Sequence, residues 1–378
     1  MTARGRALAI LTGLAVFVAG WVSFVAAWSG PAGLGPDGRG AGVAGARAAK
    51  LDAFRNELVV WAPGGFSERE VGRVRDSTRV AAISAVRAGL LAAASGRPGY
   101  PVVPVETMAV DTNAYTAAAG RPGRKLATML PKGAVLSRTG AKLRRVRSGG
   151  RLRLALPASV PVGGVVDDTV LGGYEVALEG ALGRRYGIRR AAYLLVRPRG
   201  PVDGLERELR HLLKGRRLRF LTPGDRPFVR GGESVLPLSQ VKSRFGEFAL
   251  PSLGSGLPDP AWRKANLVTR NLPVLGRVTC HRLVIGHLAK AMADLERQRL
   301  GGLVDAPGFH RKGGCFSPRL VRDAQGGKLS RDAWGIAVTL EATPDDRLVQ
   351  IMARNGFTWG GNFAHPDSTH FEWVGAGA

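Results

Sequence analysis

The sequence has few acidic residues, two cysteines and a single long apolar run, and each shortage excludes a class of protein. Only 29 Asp and Glu stand against 55 Lys and Arg, so the formal net charge is +26. Such a field attracts polyanions, although a GC-rich genome, which favours arginine codons, is an alternative source of part of the charge. Two cysteines are too few for a disulfide framework or a four-cysteine zinc module. A single apolar run excludes a polytopic membrane protein.

What is present is enough to build a folded protein. Of the 378 residues, 45% are hydrophobic and 22% are charged, which is ordinary for globular chains and excludes disorder throughout. A domain takes roughly 150 residues, so the length predicts about two domains with an extension.

Residues 7–28 form the apolar run, and no charge interrupts it. About 20 apolar residues span a bilayer, and Arg4 and Arg6 before the run place the N-terminus in the cytoplasm. We therefore expect residues 1–30 to be an uncleaved transmembrane anchor with the main body outside the cytoplasm. A signal peptide cleaved after small residues and a buried core helix are the alternatives. The Gly- and Ala-rich residues 31–50 are expected to be a flexible linker.

Residues 51–252 are predicted to form a membrane-proximal α+β domain. Residues 57–63 have a strand pattern, and Ser67 followed by Glu70 has the spacing of a helix-capping box. A strand at 80–89 completes a β-α-β unit.

A second unit of the same kind is predicted from a strand at 191–198, a helix at 202–213 and a strand at 216–223. Two such halves favour a ferredoxin-like arrangement. Between them, residues 133–177 alternate apolar and polar positions, which predicts short antiparallel strands. No catalytic pattern is visible here, so a spacer or partner-binding role is expected.

A Pro-, Gly- and Ser-rich break places a domain boundary near residue 252, and residues 253–378 are predicted to form a second α+β domain. Its helix at 281–300 has one apolar face, formed by Val284, Leu288, Met292 and Leu295. The remaining elements are predicted as strands at 334–342 and 369–374 and a helix at 345–357.

Export would place Cys280 and Cys315 in an oxidising compartment, where they are predicted to form a disulfide; two buried free thiols are the alternative. His281 and His287, at the start of the predicted helix, are expected to be at the surface or lightly packed.

A group of spaced motifs lies in the last third of the chain: CFSPR (315–319), LSRDAWGIAVTLEA (329–342) and GFTWGGNFAHPDSTHFEW (356–373). In these motifs the sequence resembles the VanY-like D-alanyl-D-alanine carboxypeptidases and the related L-alanyl-D-glutamate endopeptidases. These are zinc peptidases of bacterial peptidoglycan that share their fold with the hedgehog signalling domain. The resemblance covers about residues 270–374.

The resemblance implies roles for several residues. His370 matches the last zinc ligand, Asp367 the general base and Arg319 the arginine that stabilises the oxyanion. Ser330 and Trp334 match the first motif. These two residues and Trp359 are candidates to contact substrate, with filling of the core as the alternative for Trp359.

Two ligand positions depart from the family pattern. Asp332 stands where the family has a histidine, and Thr339 stands where it has an aspartate. Catalytic zinc normally needs three protein ligands, and a neutral hydroxyl is a poor one. Zinc is therefore expected to be weakly bound or absent. A rearranged set of Asp332, Glu341 and His370 is conceivable, but successive residues on one strand face lie about 6.6 Å apart, so the backbone would have to shift.

These observations predict an exported, membrane-anchored cell-wall protein that acts on or binds peptidoglycan stem peptides, with impaired catalysis. An active zinc peptidase with a rearranged ligand set and a cationic scaffold for anionic wall polymer are the alternatives. No nucleic-acid partner is expected, because zinc-finger, helix-turn-helix and aromatic-basic strand signatures are missing.

Overall fold

The first β-α-β unit forms through local signals. Apolar residues fill strand β1 (Leu58–Phe66), and Ser67 then caps the helix that follows. The Ser67 hydroxyl accepts a hydrogen bond from the Glu70 amide, and the Glu70 carboxylate accepts one from the Ser67 amide. The capping box expected from the sequence is therefore present, and it satisfies two backbone donors that a helix start leaves open.

The computed structural model describes residues 57–155, 158–221, 234–321, 327–340, 345–363 and 366–375. The predicted anchor and linker lie outside these residues. Within the described part, no helix has both the length and the apolar character needed to cross a membrane.

The described elements make up a mixed α+β structure. The helices are α1 (Glu68–Arg75), α2 (Thr112–Ala127, interrupted at Gly120), α3 (Arg138–Arg144), α4 (Gly180–Arg185), α5 (Val202–Leu212), α6 (Leu238–Phe245), α7 (Pro260–Asn266), α8 (Ile285–Arg297), α9 (Ala306–Arg311) and α10 (Asp346–Arg354). The strands after β1 are β2 (Val80–Arg97), β3 (Tyr100–Val110), β4 (Ala134–Ser137), β5 (Arg151–Arg153), β6 (Ser159–Val166), β7 (Val176–Glu179), β8 (Ala191–Pro198), β9 (Arg219–Leu221), β10 (Leu267–Leu272), β11 (Gly276–His281), β12 (Ala337–Thr339), β13 (Phe357–Trp359) and β14 (His370–Trp373).

Nine strands form one sheet in the order β5-β6-β4-β7-β3-β2-β8-β1-β9. The four strands of the two β-α-β units lie side by side as β2-β8-β1-β9, all antiparallel. Numbered within the two units, that order is 2-3-1-4, which is the ferredoxin-like order. The residues between the units add β3 to β7 beyond β2.

Both faces of this central part are covered. Leu58 and Val60 pack with α1 and α5 on one face, whereas Val59 and Trp61 pack with α2 on the other. Burial on both faces explains why β1 is a continuous apolar run rather than an alternating one.

The strands within 133–177 differ from the sequence prediction in one respect. β4 pairs with β7 and β5 with β6 in antiparallel fashion, but β4 and β6 are parallel. The chain crosses back through α3 and β5 before β6 begins, and such a crossover returns a strand in the same direction. An alternating pattern reports which face is buried and does not report the direction of the neighbour.

The C-terminal region has its own core around α8. Val284, Leu288, Met292 and Leu295, the predicted apolar face, are all fully buried in it. Strands β12, β14 and β13 form a three-stranded sheet in that order, and β10 and β11 form a hairpin. A disulfide joins Cys280 to Cys315, the pairing predicted from the sequence, with 5.3 Å between the Cα atoms.

The described residues on both sides of position 252 belong to one compact unit. Helix α6 precedes that position, yet its Leu238, Val241 and Phe245 belong to the C-terminal core. The α6 side chain of Lys242 also reaches back to Glu175 of the large sheet, at 2.9 Å.

Candidate functional site

The register of the three-stranded sheet brings two family ligand positions together. Thr339 on β12 lies directly opposite His370 on β14. Directly paired residues of antiparallel strands point to the same face, and the Thr339 hydroxyl is 3.4 Å from His370 Nδ1. Both side chains are buried. The sheet therefore places a hydroxyl beside His370, at the position where the resemblance expects a carboxylate.

The third position, Asp332, lies in a 3₁₀ turn, Arg331–Trp334, that begins at Ser330. The Ser330 hydroxyl accepts a hydrogen bond from the Asp332 amide at 3.3 Å. Gly335 ends the turn at a φ of +66°, and a Cβ at this position would lie 2.7 Å from the backbone nitrogen of His281. Only glycine fits this position without a shift of the backbone. The turn holds the Asp332 side chain inside the protein, where the residue is 1% exposed.

Arg319 forms an ion pair with Asp332. The backbone brings them together, because the Ser330 amide donates to the Arg319 carbonyl at 2.9 Å. The Asp332 side chain is 2% exposed, whereas the Arg319 side chain is 39% exposed. The Arg319 side chain therefore compensates a buried carboxylate while part of its surface remains accessible to solvent. Among the described residues, Asp332 Oδ1 and Arg319 Nε have no hydrogen-bond partner.

Glu372 is a member of the site that the sequence analysis missed. It lies two residues after His370 on β14, and its Oε1 is 3.7 Å from His370 Nε2. Its other oxygen accepts hydrogen bonds from the Ser234 hydroxyl at 2.8 Å and the Val235 amide at 3.0 Å. The signal was available, since alternate residues of a strand share a face and the chain reads His-Phe-Glu.

The charges of this cluster act on one another. Burial alone would lower the pKa of His370, but the interaction with Glu372 and the negative charges of Asp332 and Asp367 raise it above its ordinary value. Burial would raise the pKa of Glu372, and His370 and Arg331 together lower it instead. The arrangement therefore favours an imidazolium held between carboxylates.

Asp367 and Trp359 are less buried than the cluster around His370. Asp367 is exposed, and its Oδ1 accepts hydrogen bonds from the Thr369 amide at 3.1 Å and the Thr369 hydroxyl at 2.9 Å. Its carboxylate thus stabilises the turn before β14. Trp359 is half-buried, and its indole nitrogen donates to the Ser368 carbonyl at 2.8 Å.

Trp334 has no surface for a ligand. It is fully buried, its indole nitrogen donates to the Gly246 carbonyl at 3.0 Å, and its ring packs on Phe248. The pattern that aligned it with a substrate contact reflects its place in the core, because a large aromatic side chain between α6 and the turn fills space there. Ser330 is buried too and acts as the cap of that turn.

His281 also differs from expectation, since it is 1% exposed. Its Nδ1 accepts from the Leu283 amide at 3.2 Å and its Nε2 lies 3.3 Å from the Phe245 carbonyl. Burial lowers its pKa to about 4. The helix begins at Ile285, so His281 belongs to the end of β11 and points into the core.

The described residues do not fit a catalytic zinc centre. Thr339 offers a hydroxyl in place of an anionic ligand, and Asp332 is already held by Arg319. A metal-binding imidazole must be neutral, whereas the surroundings of His370 favour its protonated form. Within the described ranges, no group of three or more His, Cys, Asp or Glu side chains could hold a metal ion. Glu341, the speculative ligand, lies outside these residues.

Comparison with protein families gives one match. Residues 322–373 match the family described as D-alanyl-D-alanine carboxypeptidase. The matched segment contains the positions of Asp332, Thr339, Asp367 and His370 and begins just after Arg319. This C-terminal segment is therefore similar to that family, without distinguishing its VanY-like branch. Compared with curated proteins, the chain has no match.

Three chains among the solved structures are similar over somewhat less than half of this chain. The periplasmic region of MacB from Actinobacillus actinomycetemcomitans has a TM-score of 0.32 and 11% identity, over 47% of this chain and 94% of that one. The extracellular domain of the noncanonic ABC-type transporter YknZ from Gram-positive bacteria has a TM-score of 0.31 and 13% identity, over 44% of this chain and 100% of that one. A domain of a putative permease protein from Porphyromonas gingivalis has a TM-score of 0.29 and 14% identity, over 45% of this chain and 90% of that one. At scores this low, the likenesses carry no argument about this chain.

Proposed function

We propose that the C-terminal region is a peptidase-like module that binds peptidoglycan stem peptides without cleaving them. The ion pair between Arg319 and Asp332 is the observation that carries this proposal. In the family that the segment resembles, the arginine serves the reacting oxygen and the residue at position 332 serves the metal. Here the two residues neutralise each other.

The same ion pair leaves a way to bind. With 39% of its side chain exposed, Arg319 remains accessible to a ligand while Asp332 fixes its position. A guanidinium positioned in this way suits the terminal carboxylate of a peptide, because its planar donors match a carboxylate. The proposal assigns contacts with the rest of such a ligand to Trp359 and Asp367, which are half-buried and exposed.

The surroundings of the module belong to the same proposal. An N-terminal anchor in residues 1–30 would hold the protein at the outer face of the membrane. The net charge of +26 would keep it near anionic wall polymer. Zinc has no role in this function.

The full-length protein in detergent provides the test. We expect little copurified zinc, intact muropeptides after incubation, and saturable muropeptide binding by calorimetry. Arg319→Gln should weaken that binding about tenfold, which corresponds to a loss of about 1.4 kcal/mol. Arg277→Gln, a change of an exposed arginine on β11, is the matched control and should leave binding unchanged.

The two alternatives predict other results. Stoichiometric zinc with cleavage that is abolished by His370→Ala would establish an active peptidase with a rearranged ligand set. Equal loss of binding in the Arg319 and Arg277 variants would favour the cationic scaffold.

A second experiment tests the site from the opposite direction. The double change Asp332→His and Thr339→Asp restores the family ligands on a sheet that already pairs positions 339 and 370. We expect this variant to bind one zinc ion per chain, measured by metal analysis. No gain of zinc would mean that the site has lost the family geometry as well as its ligands.

A further inference from the structure

A cavity of about 290 Å³ lies on the large sheet, far in sequence from the family motifs. The end of β2, the start of β3, the end of α3, strand β5 and residues 247–248 line it. We call it the arginine pocket. Five arginines contribute to its wall: Arg97, Arg144, Arg145, Arg151 and Arg153.

Two of these arginines are compensated by carboxylates. Arg97 forms an ion pair with Asp259. Arg144 forms ion pairs with Glu175 at 3.1 Å and with Glu247 at 2.9 Å.

Lys242 completes that second group, at 2.9 Å from Glu175 and 3.2 Å from Glu247. Arg144 and Lys242 supply two positive charges and the two glutamates supply two negative charges, so this group is neutral. Glu247, the acidic residue in the wall, is thus fully matched. The positive charges of Lys242 and Arg144 also counter the effect of burial and lower the pKa of Glu247, so it stays ionised.

The other three arginines keep their charge. The Arg151 side chain donates to the hydroxyl and carbonyl of Ser159, which are neutral acceptors. The side chains of Arg145 and Arg153 have no ion pair or hydrogen bond with any described residue. Three arginines without an ion pair to any described residue therefore line one concave surface. Like charges repel, so three such arginines around one cavity raise the energy of the empty pocket and favour an anion in it.

The remaining wall indicates the size and character of the ligand. Ala93, Val103, Leu143, Val146, Leu152 and Phe248 supply apolar surface, and Ser95 supplies a hydroxyl. The cavity is larger than a single phosphate or carboxylate group needs, so it has room for an organic residue attached to the anion.

We propose that the arginine pocket binds an organic phosphate, with the phosphate group on Arg145, Arg151 and Arg153 and the organic residue against the apolar wall. Arginine forks match phosphate oxygens, and three forks can serve one phosphate group. This proposal does not depend on the function proposed for the Arg319 site.

The test is calorimetric titration of the full-length protein in detergent with glycerol 3-phosphate, inorganic phosphate and glycerol. We expect saturable one-to-one binding of glycerol 3-phosphate, weaker binding of inorganic phosphate and none of glycerol. The double change Arg145→Gln and Arg153→Gln should weaken glycerol 3-phosphate binding at least about tenfold, because it removes two charge-assisted contacts. Both residues are exposed and unpaired among the described residues, so the fold should be kept.

The control removes the same charge elsewhere. Arg184→Gln with Arg207→Gln takes two exposed arginines from other helices and should change the dissociation constant less than about twofold. A further variant, Arg153→Lys, keeps the charge but loses the fork and should bind with intermediate affinity. Poly(glycerol phosphate) as a fourth probe identifies the source. If poly(glycerol phosphate) binds more tightly per phosphate group than glycerol 3-phosphate, the ligand is a wall polymer. If the two bind equally per phosphate group, the ligand is a soluble phosphate.

Three outcomes would overturn the proposal. Equal weakening in the two double variants would assign binding to the general field of a strongly basic chain. If glycerol 3-phosphate binds no tighter than inorganic phosphate, the organic part of the ligand does not contribute to binding. Absence of saturable binding would remove the site.

Discussion

Two clusters of buried charge in the described residues differ in how completely they are satisfied. The first, the interface cluster, consists of Lys242, Glu175, Arg144 and Glu247 where α6 meets the large sheet. The ammonium group of Lys242 reaches both glutamates and the Pro104 carbonyl. The second, the peptidase-like cluster, consists of Arg319, Asp332, His370 and Glu372 in the C-terminal region. In the described structure it leaves Asp332 Oδ1, Arg319 Nε and Glu372 Oε1 without hydrogen-bond partners, whereas the interface cluster leaves Arg144 Nε.

The number of unmet polar atoms helps to distinguish a cluster that stabilises the fold from one that could bind a ligand. A buried ion pair is tolerated when further hydrogen bonds satisfy both partners, as they do for Lys242. Unmet atoms cost free energy, and they persist where a site is arranged for something other than stability. The peptidase-like cluster has more of these unmet atoms than the interface cluster, which is consistent with the binding role proposed for it.

The largest expected effect is on the interface cluster. Lys242→Met leaves Glu175 and Glu247 buried with one cation fewer, and removal of one partner from a buried pair costs about 3–5 kcal/mol. Urea unfolding should therefore show that loss in the free energy of unfolding. Lys142→Met, at an exposed position of α3, is the control and should change it by less than about 0.5 kcal/mol. Equal effects of the two changes would remove the distinction between the clusters.

Removal of the disulfide should have the second-largest effect on the free energy of unfolding. Cys280 and Cys315 are 35 residues apart, and closure of a loop of that length lowers the entropy of the unfolded chain by an amount worth about 3–4 kcal/mol. Cys280→Ala with Cys315→Ala should lower the free energy of unfolding by that amount in denaturant titrations. Because both cysteines belong to the C-terminal core, hydrogen exchange should increase around α8 more than around β1. A uniform increase would mean that the two regions unfold together.

Two buried histidines give opposite pH dependences. His281 has a pKa lowered to about 4, so its neutral form is native and stability falls as pH decreases from about 6.5 to about 4. The slope reaches at most about 1.4 kcal/mol per pH unit. The pKa of His370 is raised, so its contribution is complete below about 6.5 and is lost as pH rises through the folded value.

Unfolding free energies measured between pH 4 and 9 in about one-unit steps test this sign difference. We expect His281→Phe to flatten the acid side of the profile and His370→Gln to flatten the alkaline side. The His281 result should be insensitive to added zinc. An acid slope that survives in His281→Phe would assign it to carboxylates instead.

The smallest effect concerns the ion pair at the peptidase-like site. A double-mutant cycle with Arg319→Gln and Asp332→Asn should give a coupling energy of about 1 kcal/mol, because solvent screens the partly exposed arginine. Thermal or denaturant unfolding of the four proteins supplies the measurement. A coupling of several kcal/mol would place Arg319 among fully structural residues such as Arg144 and would weaken the proposed role in binding.

Most members of the C-terminal charge cluster could be named from the sequence, and their role in a site stays a prediction. The motifs located Arg319, Asp332, Thr339 and His370, and the strand register places the last two opposite each other. The role of Trp334 was not predictable, since a tryptophan at a motif position has the same sequence signal in a groove or in a core. Glu372 was not predicted because it is not a position of the family motif. The two-residue period of a strand would have placed it on the same face as His370.

The large sheet has a similar division. The ferredoxin-like order of its four central strands agrees with the two β-α-β units inferred from the sequence, and the ends of the elements shift by a few residues. For the five additional strands, the sequence predicted only short antiparallel strands within residues 133–177. No sequence pattern predicted the arginine pocket. Its arginines are spread from position 97 to position 153, and nothing in a local window brings them together.

The sequence by itself determined the features that rest on neighbours in the chain: the capping box at Ser67, the buried face of α8 and the β-α-β units. These arise from hydrogen bonds and periodic burial within about 20 residues, and such patterns can be read directly. The tertiary structure alone decided the parallel pairing of β4 with β6, the contacts of Lys242 with Glu175 and Glu247, and the closure of Asp332 by Arg319. Each depends on which surfaces meet after the chain has returned from elsewhere, and each charge pair also depends on burial of at least one partner.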